Sequence, residues 1–277
     1  MLLVRIGVVL AVIASPAAGA AEQAACRGET LGSAMVASAI DGRTLRLTDG
    51  REVRLAGIEV PSPGSAPAEA AKVALAGLVE GREVVLRRGM RAAKGGTPSA
   101  TDRHGRVPAH VFINRDESER SVQEALLAAG AARMAARLGE VFCGSESGGK
   151  WAEKFIAAER SARAGMLGLW RISGYEVMRA DDPAGLLGER GRFTLVEGKV
   201  VSVRESGGTI YVNFGRRWSE DFTVTIAKRN ERIFTTAGIE PAKLSGRRVT
   251  VRGYVEERGG PWIEAVAPEQ IEVGRDR

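Results

Sequence analysis

Two Asp-Gly pairs near the start of the chain constrain its fold most strongly. Asp41-Gly42 and Asp49-Gly50 separate three short runs in which apolar and polar residues alternate. Asp-Gly is preferred in tight hairpin turns, because these turns need positive φ angles that glycine adopts without strain. The pattern therefore predicts three consecutive antiparallel strands, over residues 35–40, 44–47 and 52–58.

A proline-rich break at Pro61, Pro63 and Pro67 ends this strand region. Ser121, with Glu124 three positions later, has the capping-box spacing that predicts the start of a helix. The other predicted elements are a helix over 68–79, strands over 84–86 and 107–113, a loop of small residues over 91–101, and helices over 121–129 and 151–164. This order predicts a mainly β (α+β) fold, an OB-type barrel with three helices.

The remainder of the chain predicts a second barrel. A polar stretch over 171–191 is typical of a linker, and the sequence after it is rich in strand patterns. The predicted elements are strands over 194–203, 210–214, 222–227, 249–255 and 262–266, with a short helical piece over 235–244. This order suits a small OB-like β-barrel. The predicted domains are therefore residues 21–170 and 192–277, joined by the linker.

The first residues have the pattern of a secretory signal peptide. Arg5 supplies a positive charge, an apolar run follows, and Ala18-Gly19-Ala20 has the small-residue spacing of a cleavage site. The apolar run is shorter than the ~20 residues that a transmembrane helix needs. Residues 1–20 therefore predict export to a periplasmic or secreted location, without stable membrane insertion after cleavage. An uncleaved anchor is the alternative.

Export gives a meaning to the two cysteines, Cys26 and Cys143. An oxidising compartment favours cysteine pairing, so the sequence predicts a disulfide between them. Two buried thiols are the alternative interpretation.

Three segments carry the residues on which function depends. They read Asp-Gly-Arg-Thr at 41–44, Arg-Leu-Ala-Gly-Ile-Glu-Val-Pro-Ser at 54–62 and Asp-Arg-His-Gly-Arg at 102–106. Residues from about 26 to 170 resemble the staphylococcal nuclease (thermonuclease) family, whose segments read Asp-Gly-Asp-Thr, Asp-Thr-Pro-Glu or Asp-Ala-Pro-Glu, and Asp-x-Tyr-Gly-Arg. The resemblance implies hydrolysis of phosphodiesters with calcium, two aspartate ligands, a glutamate base and two phosphate-binding arginines.

The matching positions assign roles to several residues of this chain. Arg54 and Arg106 stand at the phosphate-binding positions, and Asp41 and Glu59 are the carboxylates left at the metal end. Arg43 replaces a key aspartate ligand, although calcium requires several hard oxygen ligands. The sequence therefore predicts a poor calcium site, in which Arg43 and Glu59 can instead pair with each other. Ordinary surface or ion-paired arginines are the alternative for the phosphate positions.

The general base of the family is also replaced. Ser62 stands where the family has its glutamate, and a serine hydroxyl does not accept a proton at neutral pH. Glu69 can substitute only if the proline-rich loop brings it back to the site. His104 replaces the family tyrosine, and its imidazole can act as a base near pH 7. Further possible site residues in this segment are Asp102 and Arg103.

Three functional hypotheses follow from these residues. The leading one is an exported thermonuclease-like protein that binds nucleic acid or another phosphate polyanion, with weak or lost phosphodiester hydrolysis. The formal net charge of +6 permits such a partner without requiring one. The first alternative is an active metal-dependent endonuclease with a rearranged site that uses Asp41, Glu59 and His104. The second is a non-catalytic envelope interaction module.

The second domain offers aromatic residues that can stack on nucleobases. Tyr211, Phe214 and Trp218 lie beside Arg216 and Arg217 in the sequence. Aromatic rings next to arginines are typical of single-strand binding surfaces. The alternative is that these rings pack in the core and along a strand edge.

Overall fold

The computed structural model describes residues 28–89, 101–115, 118–136, 148–217 and 219–274, and of residues 148–150 it describes only the backbone. The predicted signal peptide, the two cysteines of the predicted disulfide and Trp218 lie outside the described residues. The predicted loop over 91–101 also lies outside them, apart from Thr101. All of these interpretations stay predictions.

The first part of the described chain contains the predicted strand meander and helices. Its strands are Thr30–Asp41 (β1), Thr44–Leu47 (β2), Glu52–Leu55 (β3), Ile58–Glu59 (β4), Glu83–Arg88 (β5), Val107–Arg115 (β6), Ser118–Ser121 (β7) and Arg133–Met134 (β8). Its helices are Ala66–Val79 (α1), Val122–Ala128 (α2) and Gly148–Ala164 (α3), and a 3-10 turn at Gly168–Arg171 follows α3. Ser121 caps α2 as predicted, because its hydroxyl accepts a hydrogen bond from the N–H of Glu124 at 3.2 Å.

These strands form an OB-type barrel. β1 pairs antiparallel with both β2 and β5, while β3 pairs antiparallel with β2 and parallel with β6. β5 also pairs antiparallel with β6, so the pairings close a ring of five strands, with α1 inserted between β3 and β5. Fully buried side chains fill its interior, including Leu45, Val53, Leu55, Leu86 and Val111. The predicted mainly β fold of the OB type is confirmed.

The second part of the chain is also rich in strands. Its strands are Met178–Arg179 (β9), Phe193–Lys199 (β10), Ser202–Ser206 (β11), Thr209–Asn213 (β12), Thr223–Ala227 (β13), Arg248–Tyr254 (β14), Glu256–Arg258 (β15), Gly260–Glu264 (β16) and Ile271–Val273 (β17). Its helices are Pro183–Gly188 (α4) and Glu231–Thr236 (α5), with 3-10 turns at Lys228–Asn230, Pro241–Leu244 and Pro268–Gln270. β12 lies between β11 and β13, β13 pairs parallel with β16, and β10 pairs antiparallel with β14. The pairings form two sheets, ordered β17-β14-β10-β9 and β11-β12-β13-β16-β15, which enclose one apolar core as a small OB-like barrel.

The stretch predicted to be a linker is structured in the residues that adjoin the second barrel. β9 pairs parallel with β10, and α4 follows with Asp182 as its N-cap. Ala180 and Leu186 are buried in the core of the second barrel. The polar residues around them gave no sign of these two apolar anchors, and part of the linker predicted over 171–191 has regular structure. The domain boundaries themselves stay a prediction.

The predicted strand over 52–58 is interrupted at Ala56 and Gly57. Gly57 has a φ of 78°, which only glycine adopts readily, and it turns the chain after β3. The two residues of β4 then pair with β8 instead of continuing along the barrel, and this pairing sets Glu59 opposite Arg133. The break therefore moves Glu59 toward the helical side of the first barrel.

The two barrels meet along the outer face of β10 and β14. Phe193 and Leu195 of β10 pack with Trp170, Ala162 and Ala135 of the first part in a separate apolar cluster. Because side chains alternate along a strand, this face is the one that points away from the core of the second barrel. The apolar cluster therefore fixes how β10 lies against the first barrel.

A buried ion pair lies beside this apolar cluster. Arg252 of β14 is 0% exposed and contacts the carboxylate of Glu159 on α3 at 2.6 Å, where Glu159 is 1% exposed. The same guanidinium pairs with Glu272 of β17 and donates a hydrogen bond to the carbonyl of Met134 at 3.3 Å. Glu159 also accepts a hydrogen bond from the N–H of Met134 at 2.8 Å. Charges buried this deeply are tolerated only when they are paired and hydrogen-bonded.

Replacing Arg252 should therefore destabilise the protein strongly. Arg252→Met leaves the Glu159 carboxylate buried without its cation, and breaking such a pair costs about 3–5 kcal/mol. The free energy of unfolding from urea denaturation measures the loss. Arg179→Met is the matched control, because its ion pair with Asp181 is open to solvent and its side chain is 78% exposed. Similar losses for the two variants would contradict a structural role for the buried pair.

Candidate functional site

The turn between β1 and β2 holds the first carboxylate of the site. Oδ1 of Asp41 accepts a hydrogen bond from the N–H of Arg43 at 2.7 Å, and Oδ2 accepts one from Oγ1 of Thr44 at 3.0 Å. A Cβ on Gly42 would lie 2.7 Å from the Cβ of Ala71, so glycine lets α1 pack directly on the turn. Both oxygens of Asp41 thus hold the turn in place.

Arg43 and Glu59 form an ion pair. The guanidinium nitrogen NH1 lies 2.6 Å from Oε2 of Glu59, whose side chain is 8% exposed. Arg133, opposite Glu59 in the β4–β8 pairing, places a second buried guanidinium near the same carboxylate. Burial lowers the pKa of Arg133, and the negative charges of Glu159 and Glu59 oppose that shift. The pairing of Arg43 with Glu59, one of the alternatives from the sequence, is confirmed.

Arg54 lies in the wall of the barrel. On β3 it is opposite Thr44 of β2 and Pro108 of β6, and it is only 6% exposed. Arg106 immediately precedes β6, the strand next to β3, so the register brings the two arginines to the same region of the sheet. The structure leaves part of the Arg106 side chain accessible and encloses nearly all of Arg54.

Asp102 organises the loop that carries Arg106. Its Oδ1 accepts hydrogen bonds from the N–H groups of His104 at 2.8 Å and Arg106 at 3.1 Å. Its Oδ2 accepts from Nε and NH2 of Arg106 at 3.0 and 2.8 Å. Partial burial raises the pKa of Asp102, but the hydrogen bonds from Arg106 and His104 outweigh it, so the pKa is lowered overall.

His104 is also engaged within this loop. Nε of Arg103 donates a hydrogen bond to Nε2 of His104 at 3.0 Å. Because a guanidinium only donates, this ring nitrogen must be the acceptor of the imidazole. Its lone pair is therefore occupied in this conformation.

A cavity of about 320 Å³ lies beside the Arg43–Glu59 ion pair. Its polar lining includes Asp41, Arg43, Glu59, Ser62, Glu69, Lys72 and Tyr254. Among the described residues, its lining includes neither of the arginines at the phosphate-binding positions. From the sequence, Glu69 can replace the missing base only if the proline-rich loop brings it back to the site. In the structure Glu69 does line the cavity.

Two lining residues were missed from the sequence. Lys72 lies three positions after Glu69 on α1, a spacing that places both on one side of the helix and that marks it as a neighbour of the site. Tyr254 comes from β14 of the second barrel, and no local motif connects it with the nuclease-type segments.

Calcium does not fit the carboxylates that the sequence offered for it. The oxygens of Asp41 hold the turn, and Glu59 is paired with Arg43. A cation at Arg43 would repel a divalent metal at the position where the family has a ligand. Within the described ranges, no group of three or more His, Cys, Asp or Glu side chains could hold a metal ion.

The predicted aromatic surface of the second barrel differs in part from the structure. Phe214 is buried against Phe222, with ring centroids 4.9 Å apart, so the prediction that it stacks on bases is wrong. Tyr211 instead meets Trp262 edge to face at 6.1 Å, and the guanidinium of Arg258 lies 4.8 Å from the centre of the Trp262 ring. The sequence missed Trp262 because the parallel pairing of β13 with β16 brings it there.

The fold and the site define a nuclease-type OB barrel whose metal end is closed by an ion pair. Residues 52–172 match the family model described as staphylococcal nuclease homologue. The resemblance to the staphylococcal nuclease family is therefore confirmed for this part of the chain. The match includes Arg54, Glu59 and the loop of Asp102, and it ends before the second barrel. A comparison with curated proteins found no match.

Within the described residues, no helix is both long and apolar enough to cross a membrane.

The hydrogen bonds of Asp102 predict a pH-dependent contribution to stability. Because its pKa is lowered in the folded state, this contribution is present above the ordinary aspartate value of 3.8 and is lost as the pH falls through the folded-state pKa. Asp102→Asn should cost about 0.5–1 kcal/mol at neutral pH, a modest loss because solvent screens the pair.

Urea unfolding of wild type and Asp102→Asn across the acid range measures this effect. The difference between the two proteins should shrink as the pH falls below 3.8. Glu153→Gln serves as the control, because this carboxylate is exposed and forms no ion pair within the described residues. A difference that stays constant with pH would contradict an ionised Asp102 in the folded loop.

Proposed function

We propose that this protein binds nucleic acid or another phosphate polyanion through its staphylococcal nuclease domain, with weak or lost phosphodiester hydrolysis. The single observation that carries the proposal is the Arg43–Glu59 ion pair at 2.6 Å, at the metal end of a domain of this family. The signal-peptide pattern of residues 1–20 supports export, and export to the periplasm or the medium is part of the proposal.

Hydrolysis of a phosphodiester requires a divalent cation and a group that activates or positions water. At the cation position, the guanidinium of Arg43 neutralises Glu59. At the base position, Ser62 offers only a hydroxyl, and Nε2 of His104 already accepts a hydrogen bond from Arg103. Both requirements are therefore poorly met by the residues around this cavity.

Binding of phosphate has less demanding requirements. Arg106 and Arg103 lie on one loop at the surface, and Arg106 is oriented by Asp102. A planar guanidinium makes strong, directional hydrogen bonds to phosphate oxygens. The net charge of +6 adds a long-range attraction for polyanions. These features support binding without a metal.

The active phosphodiesterase remains a second candidate because of one observation. Glu69 lines the same cavity as Asp41 and Glu59, so a third carboxylate is available beside the lost base position. In that case the purified protein would cleave DNA or RNA only when a divalent metal is present.

Substitution of the loop arginines should weaken binding of a phosphate polymer. The double variant Arg103→Ala/Arg106→Ala is compared with wild type in a salt titration of binding to single-stranded DNA. Log of the binding constant falls as log of the salt concentration rises, and each lost phosphate contact should make this slope less steep by about 0.7. Arg179→Ala/Arg190→Ala is the control, because it removes two exposed arginines of the second part of the chain.

The outcome separates the proposal from the envelope interaction module. A wild-type protein whose affinity for DNA and RNA is absent or independent of salt would contradict phosphate binding and favour that module. An equal loss of affinity in the control variant would place the contacts elsewhere.

Restoring the family residues should restore metal-dependent hydrolysis if their replacement removed it. Arg43→Asp/Ser62→Glu returns a ligand and a base to their family positions, and calcium-dependent cleavage of DNA should appear. Arg43→Ala/Ser62→Ala is the control, because it removes the cation without adding carboxylates. Metal-dependent cleavage by the wild type, tested with calcium, magnesium, manganese and chelator, would refute the loss of catalysis.

A further inference from the structure

A second and larger cleft lies between the two barrels. Its volume is about 1090 Å³, and one wall is the exposed side of α3. The other wall belongs to the second barrel and consists of β17, the 3-10 turn before it, the start of β14 and the residues after α5. Ile156, Ala157, Ile239 and Pro268 give the lining an apolar part. Sites for small ligands usually have roughly 300–1,000 Å³, so this cleft suits a segment of polypeptide better than one small molecule.

β17 presents an open strand edge to this cleft. It is the outermost strand of the sheet β17-β14-β10-β9, and all of its residues line the cleft. Gly274, directly after β17, donates its N–H to the carbonyl of Arg248 at 2.8 Å. Because backbone groups alternate along an antiparallel ladder, Glu272 also bonds toward β14, while the N–H and C=O of Val273 point away from the sheet. Such outward groups are a template for pairing with an added strand.

Most charged side chains of the cleft have partners on the protein itself. The guanidinium of Arg163 lies 5.8 Å from the centre of the Trp170 ring, in a cation–π contact. The ion pairs in the cleft are Arg248–Glu197 at 3.1 Å and Arg160–Glu272 at 2.8 Å. These arginines are therefore engaged with carboxylates or with a ring.

Two carboxylates of the cleft are left without a cation. Glu153 of α3 and Glu269 in the turn before β17 form no ion pair within the described residues, and both line the cleft. Burial raises the pKa of the Glu269 carboxyl, because its charged form is poorly solvated. A cation that a ligand brings would stabilise this charge. The whole chain has a formal net charge of +6, so the negative charge is a local property of the cleft.

We propose that the cleft binds an extended peptide segment that carries lysine or arginine side chains. The peptide adds a strand along the open edge of β17, and one of its basic side chains pairs with Glu269. Its apolar side chains pack on Ile156 and Ile239. In this mode of recognition, main-chain hydrogen bonds give affinity and alternate side chains give specificity. Among the described residues, none of the Asp102 loop lines the cleft, so peptide binding is independent of the proposed phosphate binding.

The test uses the chain from residue 21 onward and measures fluorescence anisotropy with labelled peptides of equal length. The first peptide alternates valine and lysine, and the second alternates valine and glutamate. The third is the valine–lysine peptide with every backbone nitrogen methylated, so that it keeps the charge but cannot donate hydrogen bonds to a strand edge. Wild type should bind the first peptide at least about tenfold more tightly than either of the others.

Two variants locate the binding in the cleft. Glu269→Gln removes the charge and keeps the shape, and it should weaken binding of the valine–lysine peptide about tenfold. Glu264→Gln is the matched control, because Glu264 on β16 is exposed and lies outside the cleft. Val273→Pro removes the outward N–H without removing a ladder hydrogen bond, and it should weaken binding as well.

Hydrogen exchange keeps the test independent of how well the variants fold. In the wild type, the valine–lysine peptide should slow exchange of the Val273 amide, because an added strand bonds to it. The valine–glutamate peptide should leave that amide unchanged. Thermal unfolding shows which variants are folded and can be compared by affinity.

The outcomes separate peptide binding from the proposed function. Equal affinity of the wild type for the lysine and glutamate peptides, or an unchanged affinity in Glu269→Gln, overturns the inference. Equal binding of the methylated peptide overturns strand addition and assigns the cleft to an isolated cationic group. Self-association that Glu269→Gln abolishes, without binding of any peptide, overturns it in favour of a second copy of the chain. Arg103→Ala/Arg106→Ala should retain peptide binding, whatever its affinity for DNA.

Discussion

The buried contact of Arg252 with Glu159 is the interaction on which the relation of the two barrels depends. The strands of each part pair with strands of the same part, so no backbone pairing between described strands joins the two barrels. The outer face of β14 nevertheless carries a guanidinium that is 0% exposed, and the carboxylates of Glu159 on α3 and Glu272 on β17 make this burial tolerable. Charge pairing thus specifies how the two barrels are oriented. The apolar cluster around Phe193 and Trp170 packs between them in that orientation.

The Arg252–Glu159 ion pair is linked to the candidate site through Arg133 and Met134, the two residues of β8. Glu159 accepts the N–H of Met134, and the preceding residue, Arg133, lies opposite Glu59. Charges of alternating sign therefore extend from the interface between the barrels to the Arg43–Glu59 pair. The metal end of the nuclease-type domain is consequently part of the buried ionic structure of the protein, and its side chains are held more firmly than a solvent-filled site would hold them.

Local signals predicted most of the first barrel, and long-range contacts account for what they missed. Asp-Gly turns and the Ser121 cap depend on neighbouring residues, so the sequence contains their physical cause. The Arg43–Glu59 pair could be predicted for a similar reason, since the motifs place both residues at one site. Tyr254 and Arg252 reach the first barrel only because the chain folds back on itself. The burial of Ala180 was missed because its neighbours in the sequence are polar. The sequence also left open whether the ring of Phe214 is exposed or lies in the core, where the structure places it.

The Arg43–Glu59 ion pair also changes the charge that the site presents to a phosphate. In a metal-dependent nuclease the carboxylates repel the phosphate until a divalent cation bridges the two, so binding and metal loading are coupled. Here Arg43 neutralises Glu59 directly, and Lys72 adds a further positive charge to the cavity. The carboxylates of Asp41 and Glu69 line the same cavity, so the repulsion of a phosphate is reduced there and is not removed. One exchange of charge at position 43 therefore takes away an oxygen ligand that a divalent cation needs and lowers the negative charge at the site.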